Sequence, residues 1–211
     1  MSERIEFSPI ELDALQESMN IGFGKAAAAL SDAVDLQVIL SVPKISVTDR
    51  ESLAETILSE LRDPRGFALV EQNFRGQVSG TGFLLVTESE ASKLAGLYGG
   101  PGNRSSAIDS VSLERDVLFE VGNLLIGACV GKIAELLGES VSCAPPRVIG
   151  APLSRALLVS RLEKPGGAGL VFKTLFHFDD MNMDGLLFLV TSEAAAAWIK
   201  AAIDRTIEGL L

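Results

Sequence analysis

Histidine is nearly absent from this chain: among 211 residues there is one, His177. It alternates with Phe176 and Phe178, which puts it on the polar face of a strand. No Ser/His/Asp or Cys/His hydrolase arrangement can be built around it, and no metal-ligand set is evident. Cysteine is scarce as well. Cys129 and Cys143 are too few for a disulfide framework, and Cys129 falls in an apolar helical pattern that reads as a small buried hydrophobe. Cations are outnumbered, with 18 Lys and Arg against 28 Asp and Glu and a net charge of −10. Phosphate backbones and anionic membrane surfaces repel such a chain, which argues against nucleic-acid and membrane partners. Apolar runs such as 124–130 and 186–190 fall far short of the ~20 residues of a spanning helix. The opening MSERIEFSP has no apolar core, so no signal peptide is expected there. A cytoplasmic location is expected. Gly22-Phe23-Gly24-Lys25 lacks the spacing and hydroxyl of a phosphate-binding loop. Asp179, Asp180 and Asp184 lack EF-hand spacing and read as a solvated turn.

What the chain does have is core-forming material, 47% hydrophobic residues with a mean hydropathy of +0.32, and an internal repeat. Shifted by 103 positions, Glu11 meets Glu114, Asp13 meets Asp116, Glu17 meets Glu120, and Asn20 meets Asn123. Gly24 then meets Gly127, Pro43 meets Pro146, Gly82 meets Gly185 and Glu90 meets Glu193. One offset serves both ends, so the unit spans nearly half the chain. We expect a single domain over 1–211, built from repeats 8–98 and 111–208 with a Gly/Pro-rich hinge at 99–110.

Ser8-Pro9-Ile10-Glu11 is a capping box with proline at the first helical position. It opens a helix that Leu12, Leu15, Met19, Phe23, Ala26 and Leu30 continue to about residue 34. A strand is predicted over 37–47, then a short solvated helix in the charged stretch 49–65, closing in a turn at Asp63-Pro64-Arg65-Gly66. A strand pair over 67–75 and 78–86 and a helix over 88–98 complete the first half. In the second half a long helix is predicted over 112–137, strands near 142–150, 155–163, 169–178 and 185–190, and a last helix over 192–208. Neither half carries much core alone. The fold class is therefore α/β (α+β), one unit with approximate two-fold symmetry and a sheet continuous across both halves.

Asp13, Glu17, Asn20 and Gly24 follow i, i+4, i+7, i+11 and form one row on the first helix. Asp116, Glu120, Asn123 and Gly127 form the same row on the second. A charged row is ordinarily a solvated face. Here the row repeats while core positions drift: Met19 meets Gly122, Phe23 meets Ile126, and Ala26 meets Cys129. Glycine inside a helix costs ~1 kcal/mol relative to alanine, so two of them in register point to a close approach at that spot. Either another helix of this chain or something outside it could make that approach.

The pattern Asp-x3-Glu-x2-Asn-x22-Pro thus occurs twice, and with Asn20-Ile21-Gly22-x-Gly24 it resembles the CheC family of chemotaxis phosphatases, in the wider CheC/CheX/FliY group. The resemblance covers essentially the whole chain and implies a pseudo-two-fold, duplicated CheC-like fold, with a central, mostly antiparallel sheet and two long helices packed on one face. It also implies an activity, hydrolysis of the aspartyl phosphate of a CheY-type receiver, with Glu17 and Asn20, and Glu120 and Asn123, entering the receiver's site. Its further implied partner is a CheD-type deamidase, and some relatives sit in flagellar switch complexes. A non-catalytic binding module for such partners is the alternative. The segment 49–65 is longer than the family pattern and bears on docking. An amide suits this reaction, because its oxygen accepts from water while its NH2 donates to a phosphoryl oxygen. Glu17 and Glu120 suit pairing with a cation in the receiver. Asp13, Gly24, Asp116 and Gly127 are assigned to docking or helix support. The chain needs no cofactor of its own, and Mg2+ is expected in the partner receiver.

Overall fold

The computed structural model describes residues 5–34, 36–47, 50–61, 66–98, 107–149, 155–162, 169–179 and 183–208. Their elements run in a twice-repeated order. The first series is α1 (Pro9–Val34), β1 (Val38–Leu40), β2 (Lys44–Val47), α2 (Arg50–Glu60), β3 (Phe67–Gly76), β4 (Gly80–Thr87) and α3 (Glu88–Tyr98). The second is α4 (Ala107–Leu136), β5 (Val141–Cys143), β6 (Arg147–Ile149), α5 (Arg155–Leu162), β7 (Leu170–Phe178), β8 (Met183–Thr191) and α6 (Glu193–Glu208).

The capping box forms as read. Ser8 N–H donates to Glu11 Oε2 at 2.5 Å and Glu11 N–H donates to Ser8 Oγ at 3.3 Å. Thr87 and Glu90 repeat the device at the start of α3, at 3.1 and 3.2 Å.

All strand pairs are antiparallel, in one sheet of order β1-β7-β8-β4-β3-β5, with β2 also on β7 and β6 also on β3. The halves are interlocked. β4 pairs with β8 at the centre, Leu84 opposite Leu187. β1 and β2 of the first half pair with β7 of the second, while β5 and β6 of the second pair with β3 of the first.

Strand alternation sorts side chains onto two faces. Ala68, Val70 and Phe74 of β3 and Phe172, Phe176 and Phe178 of β7 join the cores of α1, α4, α3 and α6. Leu69, Leu85, Val171 and Phe188 point the other way, beneath Ile57 and Leu61. The two long helices share one face as expected, packed against each other. The opposite face is covered too, by α2 and α5, whose outer ends are tied down by Lys173–Glu60 at 2.6 Å and Arg161–Glu71 at 3.8 Å.

Four expectations change. The strand predicted over 155–163 is the helix α5. Its Ala-Leu-Leu-Val run fits a buried strand or a short helix equally well, and periodicity alone cannot separate them. The strands predicted over 37–47 and 142–150 are each split in two, with buried Pro43 and Pro146 at the breaks, because proline cannot donate to a ladder. α2 is no mere solvated helix, since Ile57 is fully buried. α4 begins at Ala107, within the stretch read as hinge; residues 99–106, the turn residues 63–65 and Asp180 lie outside the described residues.

Val111–Glu135 of α4 is long and apolar enough to cross a membrane by length and composition, which counting uninterrupted runs missed. Over its most apolar window, 56% is buried inside the protein, as in a core helix.

Glu11, buried at 7% exposure, also receives a hydrogen bond from Lys200 of α6, whose ammonium lies 5.4 Å from the Phe7 ring centre. The Lys200 ammonium holds the Glu11 carboxyl at about 2, below its ordinary 4.5, against the upward push of burial, with Asp204 and Ser8 helping. A depressed carboxyl stabilises the fold fully above 4.5 and loses that contribution as the pH falls towards 2. Lys200→Met should therefore lower the urea midpoint most at neutral pH, and its difference from wild type should close as the pH drops through that window.

Candidate functional site

α1 and α4 each turn an apolar side to the sheet and a polar row outward. On α1, Leu15, Met19, Phe23, Ala26 and Leu30 are buried, while Asp13, Glu17, Asn20 and Gly24 are exposed. On α4, Leu118, Val121, Leu125, Ile126 and Cys129 are buried. Asp116, Glu120 and Asn123 are exposed and Gly127 is half-buried. Both rows therefore face outward as the helical spacing required. Among the described residues, none of the four row carboxylates is in an ion pair, which leaves them available to a cation from outside. Cys129 and Trp198 are packing residues, fully and partly buried in the main core.

The two row glycines are uncrowded among the described residues. A Cβ built on Gly24 or on Gly127 would meet nothing within 4 Å. Among the described residues no helix presses on either. The intramolecular close approach falls on other glycines. A Cβ on Gly122 would meet Val70 Cγ1 at 2.6 Å, and one on Gly82 would meet Ile126 Cγ2 at 2.4 Å. These two let α4 lie directly on β3 and β4.

The sites differ beneath the surface. At the second, Gln72 of β3 is buried at 1% exposure and donates from Nε2 to Asn123 Oδ1 at 2.8 Å and to the Ala144 carbonyl at 2.9 Å. Ala144 lies in the β5–β6 break, two residues before Pro146, so the proline of the motif shapes the segment that anchors Gln72. At the first site the matching carbonyl, Ser41, two residues before Pro43, is met by buried Thr174, whose hydroxyl donates at 2.6 Å. Among the described residues Asn20 has no hydrogen-bond partner. Sequence reasoning missed Gln72. The available signal was its parity: Ala68, Val70, Gln72 and Phe74 share a face, and an amide among three apolar side chains must find partners there.

A groove of about 350 Å³ runs beside the second row, lined by Arg115, Asp116, Phe119, Pro145, Pro146 and Arg147. The repeat places Leu12, Asp13, Gln16 and Lys44 at the positions of Arg115, Asp116, Phe119 and Arg147, so the second site is the more cationic. His177 lies away from both rows, its Nδ1 2.8 Å from exposed Asp184 and its Nε2 3.4 Å from Asp179. The Asp184 hydrogen bond, with Asp179 behind it, pushes the imidazole above its ordinary value.

The CheC-like family profile matches residues 10–47, the stretch that holds the first row and Pro43. The resemblance to the CheC group holds. The flagellar motor switch phosphatase FliY of Bacillus subtilis is 25% identical over 143 residues, 68% of this chain and 36% of that protein. The chain thus aligns with little more than a third of that relative. The putative CheY-P phosphatase CheC1 of Halobacterium salinarum is 24% identical over 179 residues, 84% of this chain and 88% of its own length. Among solved structures, Thermotoga maritima FliY has a TM-score of 0.64 at 17% identity, covering 95% of this chain and 99% of that one. CheX in a CheX–CheY–BeF3–Mg complex from Borrelia burgdorferi has a TM-score of 0.51 at 17% identity, covering 80% and 95%. These likenesses establish the CheC/CheX/FliY fold.

Because both glycine sites are open and exposed helix glycines cost ~1 kcal/mol, Gly24→Ala and Gly127→Ala should each raise the thermal midpoint. Any partner that seats on the rows should bind the same variants more weakly, as titration calorimetry would record. Unchanged affinity would remove the docking role of these glycines.

Proposed function

We propose that this chain hydrolyses the aspartyl phosphate of a CheY-type response-regulator receiver, using two sites in a duplicated scaffold. The observation that carries the reading is the repeated outward row: a carboxylate without a cation of its own, an amide one turn on, and bare glycine backbone beyond. A relative named a putative CheY-P phosphatase, another named a flagellar motor switch phosphatase, and a structural neighbour from a CheX–CheY complex support the choice of reaction and partner.

Hydrolysis proceeds by in-line attack of water on phosphorus. The bond from phosphorus to the receiver's aspartyl oxygen breaks, the electron pair leaves with the carboxylate, and the attacking water releases a proton to bulk water as inorganic phosphate forms. The transition state is loose and the leaving group good, so positioning and charge stabilisation carry the catalysis. Asn20 and Asn123 supply the amides that orient water. Glu17 and Glu120 pair with a cation of the receiver and set the depth of insertion. Asp13 and Asp116 steer docking one turn earlier, and Gly24 and Gly127 leave room for the receiver's surface. Magnesium in this reading belongs to the receiver. A CheD-type deamidase or a flagellar component is the alternative partner, in which case the rows are docking contacts without turnover.

The test is phosphate loss from a phosphorylated CheY-type receiver, with magnesium, for wild type, Asn20→Ala, Asn123→Ala and the double variant. Wild type should accelerate loss over the receiver's own decay, and the double variant should fall by on the order of 10²-fold, the scale of removing one positioned polar group. Binding of the receiver with no acceleration by wild type would favour the docking module and sink the phosphatase.

A further inference from the structure

We propose that Gln72 is a positioning residue for Asn123, and that it makes the second site the faster of the two. The inference rests on the phosphatase reading for its kinetic arm alone.

The geometry fixes the orientation of both amides. The Ala144 carbonyl can only accept, so Gln72 must present its NH2 there, and the same Nε2 lies 2.8 Å from the Asn123 side chain. An NH2 group can only donate, so the Asn123 atom facing it is Oδ1. The Asn123 NH2 is thereby turned away from Gln72, towards the exposed side of the row, where a phosphoryl oxygen can accept from it. One lone pair of Oδ1 remains for water. Gln72 cannot swing aside, because it is buried at 1% exposure and held at both contacts. Its own Oε1 is buried with no partner among the described residues, an arrangement that folding alone would avoid with an apolar side chain.

The first site lacks this device. Thr174 satisfies the Ser41 carbonyl through a hydroxyl that is also 3.1 Å from Ser41 Oγ, and a threonine is too short to reach the helix as well. Asn20 must therefore be ordered by the receiver itself, so part of the binding energy goes into fixing a rotamer. Asn123 carries its orientation beforehand.

Two measurements test this. Side-chain amide relaxation by NMR on the unmodified protein should give the Asn123 NH2 a higher order parameter than the Asn20 NH2, and Gln72→Met should bring it down to the Asn20 level. Equal mobility of the two amides in wild type would overturn the proposal without any variant having to fold. In the kinetic arm, Gln72→Met is placed in the Asn20→Ala and Asn123→Ala backgrounds. In the first, kcat for phosphate loss should fall about tenfold or more with KM held, the scale of a misplaced catalytic group; in the second, nothing further should change. Gln72→Glu, which cannot donate and repels Oδ1, should behave as Gln72→Met does. Equal losses in both backgrounds would reveal a merely structural role and overturn the proposal. If wild type does not accelerate phosphate loss, the phosphatase reading falls, and the relaxation comparison still decides the positioning of Asn123.

Discussion

The antiparallel pairing of β4 with β8 is the contact on which the rest of this molecule depends. It puts Leu84 opposite Leu187 at the centre of the sheet, and both faces there are apolar: Leu84 and Leu187 belong to the core under the long helices, and Phe83 and Phe188 to the core under α2 and α5. A face left uncovered would forfeit roughly 1.5–3 kcal/mol for each large side chain on it. Each half has one strand pair and cannot cover two faces by itself. The exchange of β1 and β2 onto β7, and of β5 and β6 onto β3, solves this by making each half roof and edge for the other. The ion pairs follow the same exchange, Glu60 of the first half to Lys173 of the second, and Arg161 of the second to Glu71 of the first.

This interlocking has a consequence for the sites. The second row is carried by α4, yet its asparagine is held by Gln72 from the first half, which is in turn anchored on Ala144 of the second. A site that looks in sequence like a property of one repeat is assembled from both. The Glu11–Lys200 bond does similar work at the edge, fastening the start of α1 to α6.

Much of this was legible in the sequence, for reasons that differ by element. α1 could be read to its ends because a capping box and an unbroken apolar stripe agree. The outward rows could be read because helical spacing fixes which residues share a face. The helix α5 could not be read from its own eight residues, although the repeat offers the answer: an offset of 103 lays it over α2, whose charges already marked a helix. The contact of Gln72 with Asn123 spans 51 positions, and no local pattern encodes a partner at that distance. Only the parity of Gln72 within its strand announces that a partner exists.

The drift in the core and the persistence of the row turn out to be connected. Where α1 has Met19, α4 has Gly122, and both positions are buried. Gly122 lets α4 come down until Val70 touches its backbone, and the next residue on the helix is Asn123, while two along the strand, on the same face as Val70, is Gln72. The close approach is thus what brings the two amides within hydrogen-bond reach. With Met19 in that place, a full side chain separates α1 from what lies below, and α1 packs on β1, α4 and α6. The identical surface motifs Glu17–Asn20 and Glu120–Asn123 consequently have different packing beneath them, Met19 under the first and the Gly122–Val70 contact under the second. The chain carries the row twice, and the buried glycine beneath one of them accompanies the Gln72–Asn123 bond that the other lacks.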